Sequence, residues 1–144
     1  MPTVDDVKAK VQRILQANLN RVEIDRDGDF MVRHESAVVF VRVLEGFGED
    51  GVIVRVNCPL VVDVPVTPEL TLWVATEGQD YIIGSTQLVI REDGTGWLFF
   101  AQNIIADDLD ESELMGTIFG VTFTSNDLDN KLRDRFGGQL FGRE

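Results

Sequence analysis

The chain is poor in the residues on which most protein chemistry relies. Its 144 residues include one cysteine, one histidine and one tyrosine. A lone Cys58 excludes an internal disulfide and points to a reducing cytosol. A lone His34, beside Glu35 in an expected turn, has no further imidazole with which to build a metal centre or proton relay. Basic residues are also scarce, 13 against 25 acidic, giving a net charge of −12. Such a surface repels phosphates and anionic headgroups, so neither nucleic acid nor a membrane is expected as a partner. No apolar run approaches the roughly 20 residues that span a bilayer. The opening MPTVDDVKAK has neither the basic start nor the apolar stretch of a secretory signal. A cytoplasmic protein is expected.

What remains is ordinary for a globular domain: 44% hydrophobic and 26% charged residues. The chain is long enough for one domain, residues 1–144, with a substantial core. The charge is uneven. Residues 1–20 carry three basic and two acidic groups, residues 21–106 six and fourteen, and residues 107–144 four and nine. The first segment is therefore the least acidic, suited to lie against an acidic neighbour.

Periodicity predicts the elements. Thr3 as N-cap, Asp6 three residues on, and Val4, Val7, Val11, Ile14 and Leu15 at helical spacing predict a helix over about 4–18. Short β segments at Val22–Ile24 and Phe30–Val32 flank an Asp-Gly turn. Ala37–Leu44 is nearly all apolar and predicts a central strand. In Val52–Val64 every even position is apolar, from Val52 to Val64, so one face meets a core. Pro59, which cannot donate to a ladder, predicts a bend or an edge. Thr67-Pro68-Glu69 starts a short helix over about 68–77. Strands follow at Tyr81–Ile90 and Trp97–Ile105. Asp110, with Glu113 in the capping-box position, opens a long helix that stops at Gly137-Gly138. Along it Leu114, Ile118, Val121, Ser125, Leu128, Leu132 and Arg135 alternate steps of four and three. Met115, Phe119 and Phe123 widen this stripe over the first half, leaving Leu128 and Leu132 on a narrower seam. The predicted order is α-β-β-β-β-α-β-β-α: an α+β domain with an antiparallel sheet and N-terminal, middle and long C-terminal helices.

Several patterns suggest chemistry and fail on inspection. Asp25, Asp27 and Asp29 resemble the start of a calcium loop. However, the positions that require Gly and Glu hold Phe30 and Ser36, and the flanks read as strands. Gly46 to Gly51 matches G-x-G-x-x-G, but a strand follows instead of a helix, and Glu49 and Asp50 would repel a phosphate. Cys58 lies on the apolar face of its strand, where an inert thiol is the simpler reading. The acidic pairs Asp107-Asp108 and Asp127-Asp129 sit where capping and solvation explain them. Gly116 and Gly120 form a GxxxG spacing in a segment too polar for a membrane. In water they are expected to let the helix approach the sheet. Most of the aromatics should build the core.

The Cys58-to-Pro65 run, Thr67-Pro68-Glu69-Leu70 with Trp73-Val74-Ala75, Ile104–Asp110 leading into Glu113-Leu114, and Asp127–Leu132 with Arg135-Phe136-Gly137-Gly138 resemble, in order and spacing, the bacterial YbjN-like domains. These share a fold with type III secretion chaperones. The resemblance covers nearly the whole chain, although the last helix is poorer in alanine than the family pattern. It implies a small acidic domain, often dimeric, that binds other proteins, with no enzyme activity and no cofactor. The function expected is a non-enzymatic, chaperone-like interaction domain that binds a segment of a partner protein and acts as a homodimer. Trp73, Leu128 and Leu132 are the candidate partner or dimer surface. The alternative is a regulatory domain responsive to a small molecule or ion, with a pocket between sheet and helices.

Overall fold

The computed structural model describes residues 2–46, 48 and 51–142. Helix α1 spans Val4–Asn18 and opens with a reciprocal cap. The Asp6 N–H donates to Thr3 Oγ1 at 3.1 Å, and the Thr3 N–H donates to Asp6 Oδ2 at 3.0 Å. These bonds satisfy two orphan donors and hold the Asp6 carboxyl below its usual range. Val7, Val11 and Leu15 form its buried face, as their spacing predicts.

Strands β1 (Glu23–Ile24) and β2 (Phe30–His34) form a hairpin. Asp25 Oδ1 accepts the N–H groups of Asp27 and Asp29 at 2.9 and 3.0 Å, so this carboxylate organises the turn. Strand β3 (Ala37–Glu45) pairs with β2 on one side and with β4 (Val52–Pro65) on the other. Phe47, Glu49 and Asp50 of the glycine-rich turn lie outside the described residues. Its ends meet through the Gly46 N–H to the Gly51 carbonyl at 2.8 Å, and a strand follows. Helix α2 spans Pro68–Ala75 with Thr67 as its cap, and a 3-10 turn at Glu77–Gln79 completes the segment predicted as one helix. Strand β5 (Ser85–Ile90) starts later than predicted, and β6 (Thr95–Ile105) follows. Helix α3 runs from Glu111 to Phe136, capped by Asp110. A short strand β7 (Gln139–Leu140) comes last, an element the sequence did not suggest.

The strands form one antiparallel sheet in the order β1-β2-β3-β4-β6-β5, with β7 beside β4. The predicted α+β class and element order are observed. The helices gather on one face, where Val7, Val11, Leu15, Leu114, Ile118 and Val121 pack with Val39, Val41, Val54, Val56 and Phe100. The opposite face has no helix over it among the described residues.

Two predictions are corrected. The alternation in β4 holds only as far as Pro59. The register against β6 shifts between Pro59 and Val61 and again between Val61 and Val64, with Asp63 in the left-handed region at φ 55°. Val61 therefore enters the core in place of Val62, because a bulge of one residue exchanges the two faces. The glycines of α3 do not serve a close approach to the sheet. A Cβ at Gly116 would meet nothing within 4 Å, and one at Gly120 would first meet Ile83, at 3.4 Å.

Candidate functional site

The buried stripe of α3 follows the predicted alternation from Leu114 through Ile118, Val121, Ser125 and Leu128 to Leu132. Its widening is different. Met115, Thr122 and Asp129 extend it, whereas Phe119 and Phe123 are 47% and 63% exposed. Helical geometry explains this. Phe123 is nine residues from Leu114, about two and a half turns at ~3.6 residues per turn, and so faces away from the sheet. The two rings stack with centroids 6.3 Å apart, and the His34 and Phe123 rings stand perpendicular with centroids 6.1 Å apart.

The three residues expected at a contact surface lie inside the single chain. Trp73, Leu128 and Leu132 are 7%, 7% and 3% exposed. Trp73 packs on Phe136 with centroids 6.0 Å apart, and Leu128 and Leu132 join the core of the chain's own sheet. The narrow seam is thus met by the chain itself, and the exposed apolar surface of α3 lies half a turn around.

That surface borders a groove of about 100 Å³ lined by Leu19, Val32, Arg33, His34, Ile118, Phe119, Thr122 and Phe123. The end of α1, strand β2 and the middle of α3 meet there. Pairing of β1 with β2 reaches only Met31, so Val32–His34 continue as an open edge of the sheet. An open edge offers backbone donors and acceptors to an added strand. The groove therefore combines an unpaired strand end with apolar walls.

A polar contact fixes its geometry. The Ser36 hydroxyl, in the tight turn after β2, lies 2.6 Å from Asp129 Oδ2 and 3.0 Å from Asn126 Oδ1 on α3. Asp129 Oδ1 also accepts the Asn130 N–H at 2.6 Å. This contact ties α3 to the β2–β3 turn just beyond His34. Cys58 lies on the adjoining β4 face, where its thiol donates to the Pro59 carbonyl oxygen at 3.7 Å, and burial pushes the thiol up to about 11. A thiol so protonated is a poor nucleophile. Among the described residues no cluster of three or more His, Cys, Asp or Glu side chains could hold a metal. No helix there is long and apolar enough to cross a membrane.

A family profile, described as T3SS (YopN, CesT) and YbjN peptide-binding chaperone 1, matches residues 5–144. The chain belongs to this family. Among solved structures it is similar to YbjN from E. coli, with a TM-score of 0.67 at 9% identity, covering 93% of each chain. It is also similar to the Yersinia pestis type III secretion chaperone SycH, solved in complex with a fragment of YscM2. Here the TM-score is 0.55 at 10% identity, covering 85% of this chain and 98% of that one. A protein from Methanothermobacter thermautotrophicus gives a TM-score of 0.54 at 15% identity, with 91% and 99% coverage. At these identities the likeness shows a shared fold. No curated protein matches the chain.

Proposed function

We propose that this chain is a non-enzymatic, chaperone-like domain of the cytoplasm that binds an extended segment of a partner protein. The segment lies in the groove between α3 and the open end of β2. The observation that carries this reading is the exposure of the stacked Phe119 and Phe123 beside strand residues with no strand paired on that side among the described residues. Two exposed phenylalanines in an acidic, soluble chain need a reason, and a transient apolar partner supplies one. The family's description as peptide-binding chaperones supports it. The groove, at about 100 Å³, falls below the roughly 300–1,000 Å³ usual for small-molecule sites. This favours a peptide over a metabolite. The reading includes a homodimer, whose sedimentation would give twice the mass of one chain.

Panning a library of short random peptides against the chain tests the groove. The expected result is enrichment of apolar peptides whose binding falls at least about tenfold, ~1.4 kcal/mol, in Phe119→Glu and Phe123→Glu. Both side chains are exposed, so the variants should melt as the parent does. Failure to enrich any peptide, or equal binding to parent and variants, would overturn the assignment.

A further inference from the structure

We propose that the helix-free face of the sheet is a second docking surface, fitted to an acidic segment of a partner polypeptide that also carries apolar side chains. It rests on the peptide-binding reading only for the class of partner, since the surface is distinct from the groove. Strand pairing defines the face. Met31 pairs with Phe40, Arg42 with Arg55, Asn57 with Ala101, Phe99 with Gln87 and Trp97 with Val89, so these side chains all project on the side away from the helices. Val89 and Ile105 are among the most exposed apolar residues of the chain.

The charge of this face opposes that of the molecule. Arg33, Arg42 and Arg55 project from it, and Arg91 reaches over it from the end of β5, stacking on Trp97 at 4.9 Å. At the β2–β3 end the arginines are neutralised, Arg33 by Glu23 at 3.3 Å and Arg42 by Asp29 at 3.4 Å. At the β4–β6–β5 end no such close pair forms. Arg55 reaches across β6 and donates to Gln87 of β5. Among the described residues neither Arg55 nor Arg91 has a carboxylate within ion-pair distance. In a chain with 25 acidic and 13 basic residues, two guanidinium groups without a close ion pair on one face are unexpected, Arg91 feeling the longer-range charge of Asp93. They flank Phe99 and Trp97, whose centroids are 6.0 Å apart. Trp97 Nε1 is a buried donor with no acceptor on this same face.

This stripe presents cation, aromatic cluster and cation, since Phe141 packs against Trp97 with centroids 6.2 Å apart and against Phe40 at 6.0 Å. It complements a segment that presents carboxylate, apolar group and carboxylate. Guanidinium groups bind carboxylates in two-point geometry, and the rings take the apolar side chain between them. A second copy stacked on this face by two-fold symmetry would set the arginine stripe against itself. A nucleic acid could stack on the rings but would meet the field of a molecule with net charge −12.

Fluorescence anisotropy of a labelled peptide alternating Asp and Leu tests the proposal against two other probes: the same peptide with Asn for Asp, and a short oligothymidine. A Trp73→Phe background leaves Trp97 as the reporting indole. The expected result is saturable binding of the Asp peptide with a change in Trp97 emission, weakened about tenfold or more by Asn, by Arg55→Gln and by Arg91→Gln. Phe119→Glu should leave this binding unchanged, which separates the face from the groove. Amide shift changes should fall on β5 and β6. The proposal is overturned if the Asp peptide does not bind, if the arginine variants bind it equally, if the shifts fall on β2 and α3, or if oligothymidine binds more tightly. Because Arg91 is exposed, its variant keeps the test usable should Arg55→Gln unfold.

Discussion

Cys58 shows how much one buried group can bind stability to pH. The thiol's folded value of about 11 lies above its ordinary 9.0, chiefly through burial. For an acid shifted upwards, the unfolded chain loses its proton first as pH rises. The stabilising contribution is therefore complete below pH 9 and is lost between there and pH 11, with a slope of up to about 1.4 kcal/mol per pH unit. Urea unfolding across this range should show that slope in the parent and a shallower one in Cys58→Ala, whatever that variant's overall stability. Equal slopes would assign the alkaline loss to other groups. The inert thiol was legible in the sequence, since Val56, Cys58 and Leu60 share the apolar parity of their strand. Phe119 and Phe123 were not, because aromatic character suggests burial and only their angular position on the helix shows otherwise. Trp73 illustrates the converse. Its helix is too short for spacing to define a buried face, and the docking of Phe136 from the far end of the chain helps to cover it.

At the scale of elements, α3 was legible because its caps and its alternation are local properties. Its glycines were not, because their role depends on what lies opposite. Gly116 faces open space. Gly116→Ala should therefore raise stability by about 0.5–1 kcal/mol through the lower entropy of the unfolded chain. Gly120→Ala should gain less, since its Cβ would press Ile83 at 3.4 Å. Chemical denaturation of the two variants checks both the sign and the order; a loss at Gly116 would mean that something covers this side of the helix. Strand β7 was hidden because two residues give no period. It forms because Gly138, at φ 89°, turns the chain back onto β4. A Cβ there would stand 2.6 Å from the Val62 carbonyl oxygen. Gly138→Ala should cost about 1–3 kcal/mol and release β7, seen as faster amide exchange at Leu140 while the amides of β3 remain protected. Unchanged exchange at Leu140 would show that the pairing survives a side chain.

For the whole molecule, the sequence states the net charge but not its distribution over the faces, which depends on strand register. The Arg55 and Arg91 stripe arises from residues 36 positions apart, and only the β4–β6–β5 pairing brings them onto one surface. Two electrostatic effects of opposite sign then compete. Repulsion among 25 carboxylates destabilises the compact chain. Ion pairs such as Arg135 with Glu69 at 3.4 Å and Glu77 at 3.6 Å, which tie α3 to α2 and the turn after it, stabilise it. These pairs are exposed, and each is worth only about 0–1 kcal/mol. The excess negative charge acts over longer distances, where screening is most effective, as the Debye length falls from about 30 Å at 0.01 M salt to about 8 Å at 0.15 M. Repulsion should therefore outweigh the ion pairs, and Tm should rise as sodium chloride is raised from about 0.01 M to about 0.15 M. A Tm that falls over this range would reverse the ranking and give the ion pairs between α2 and α3 a larger part in holding the fold together.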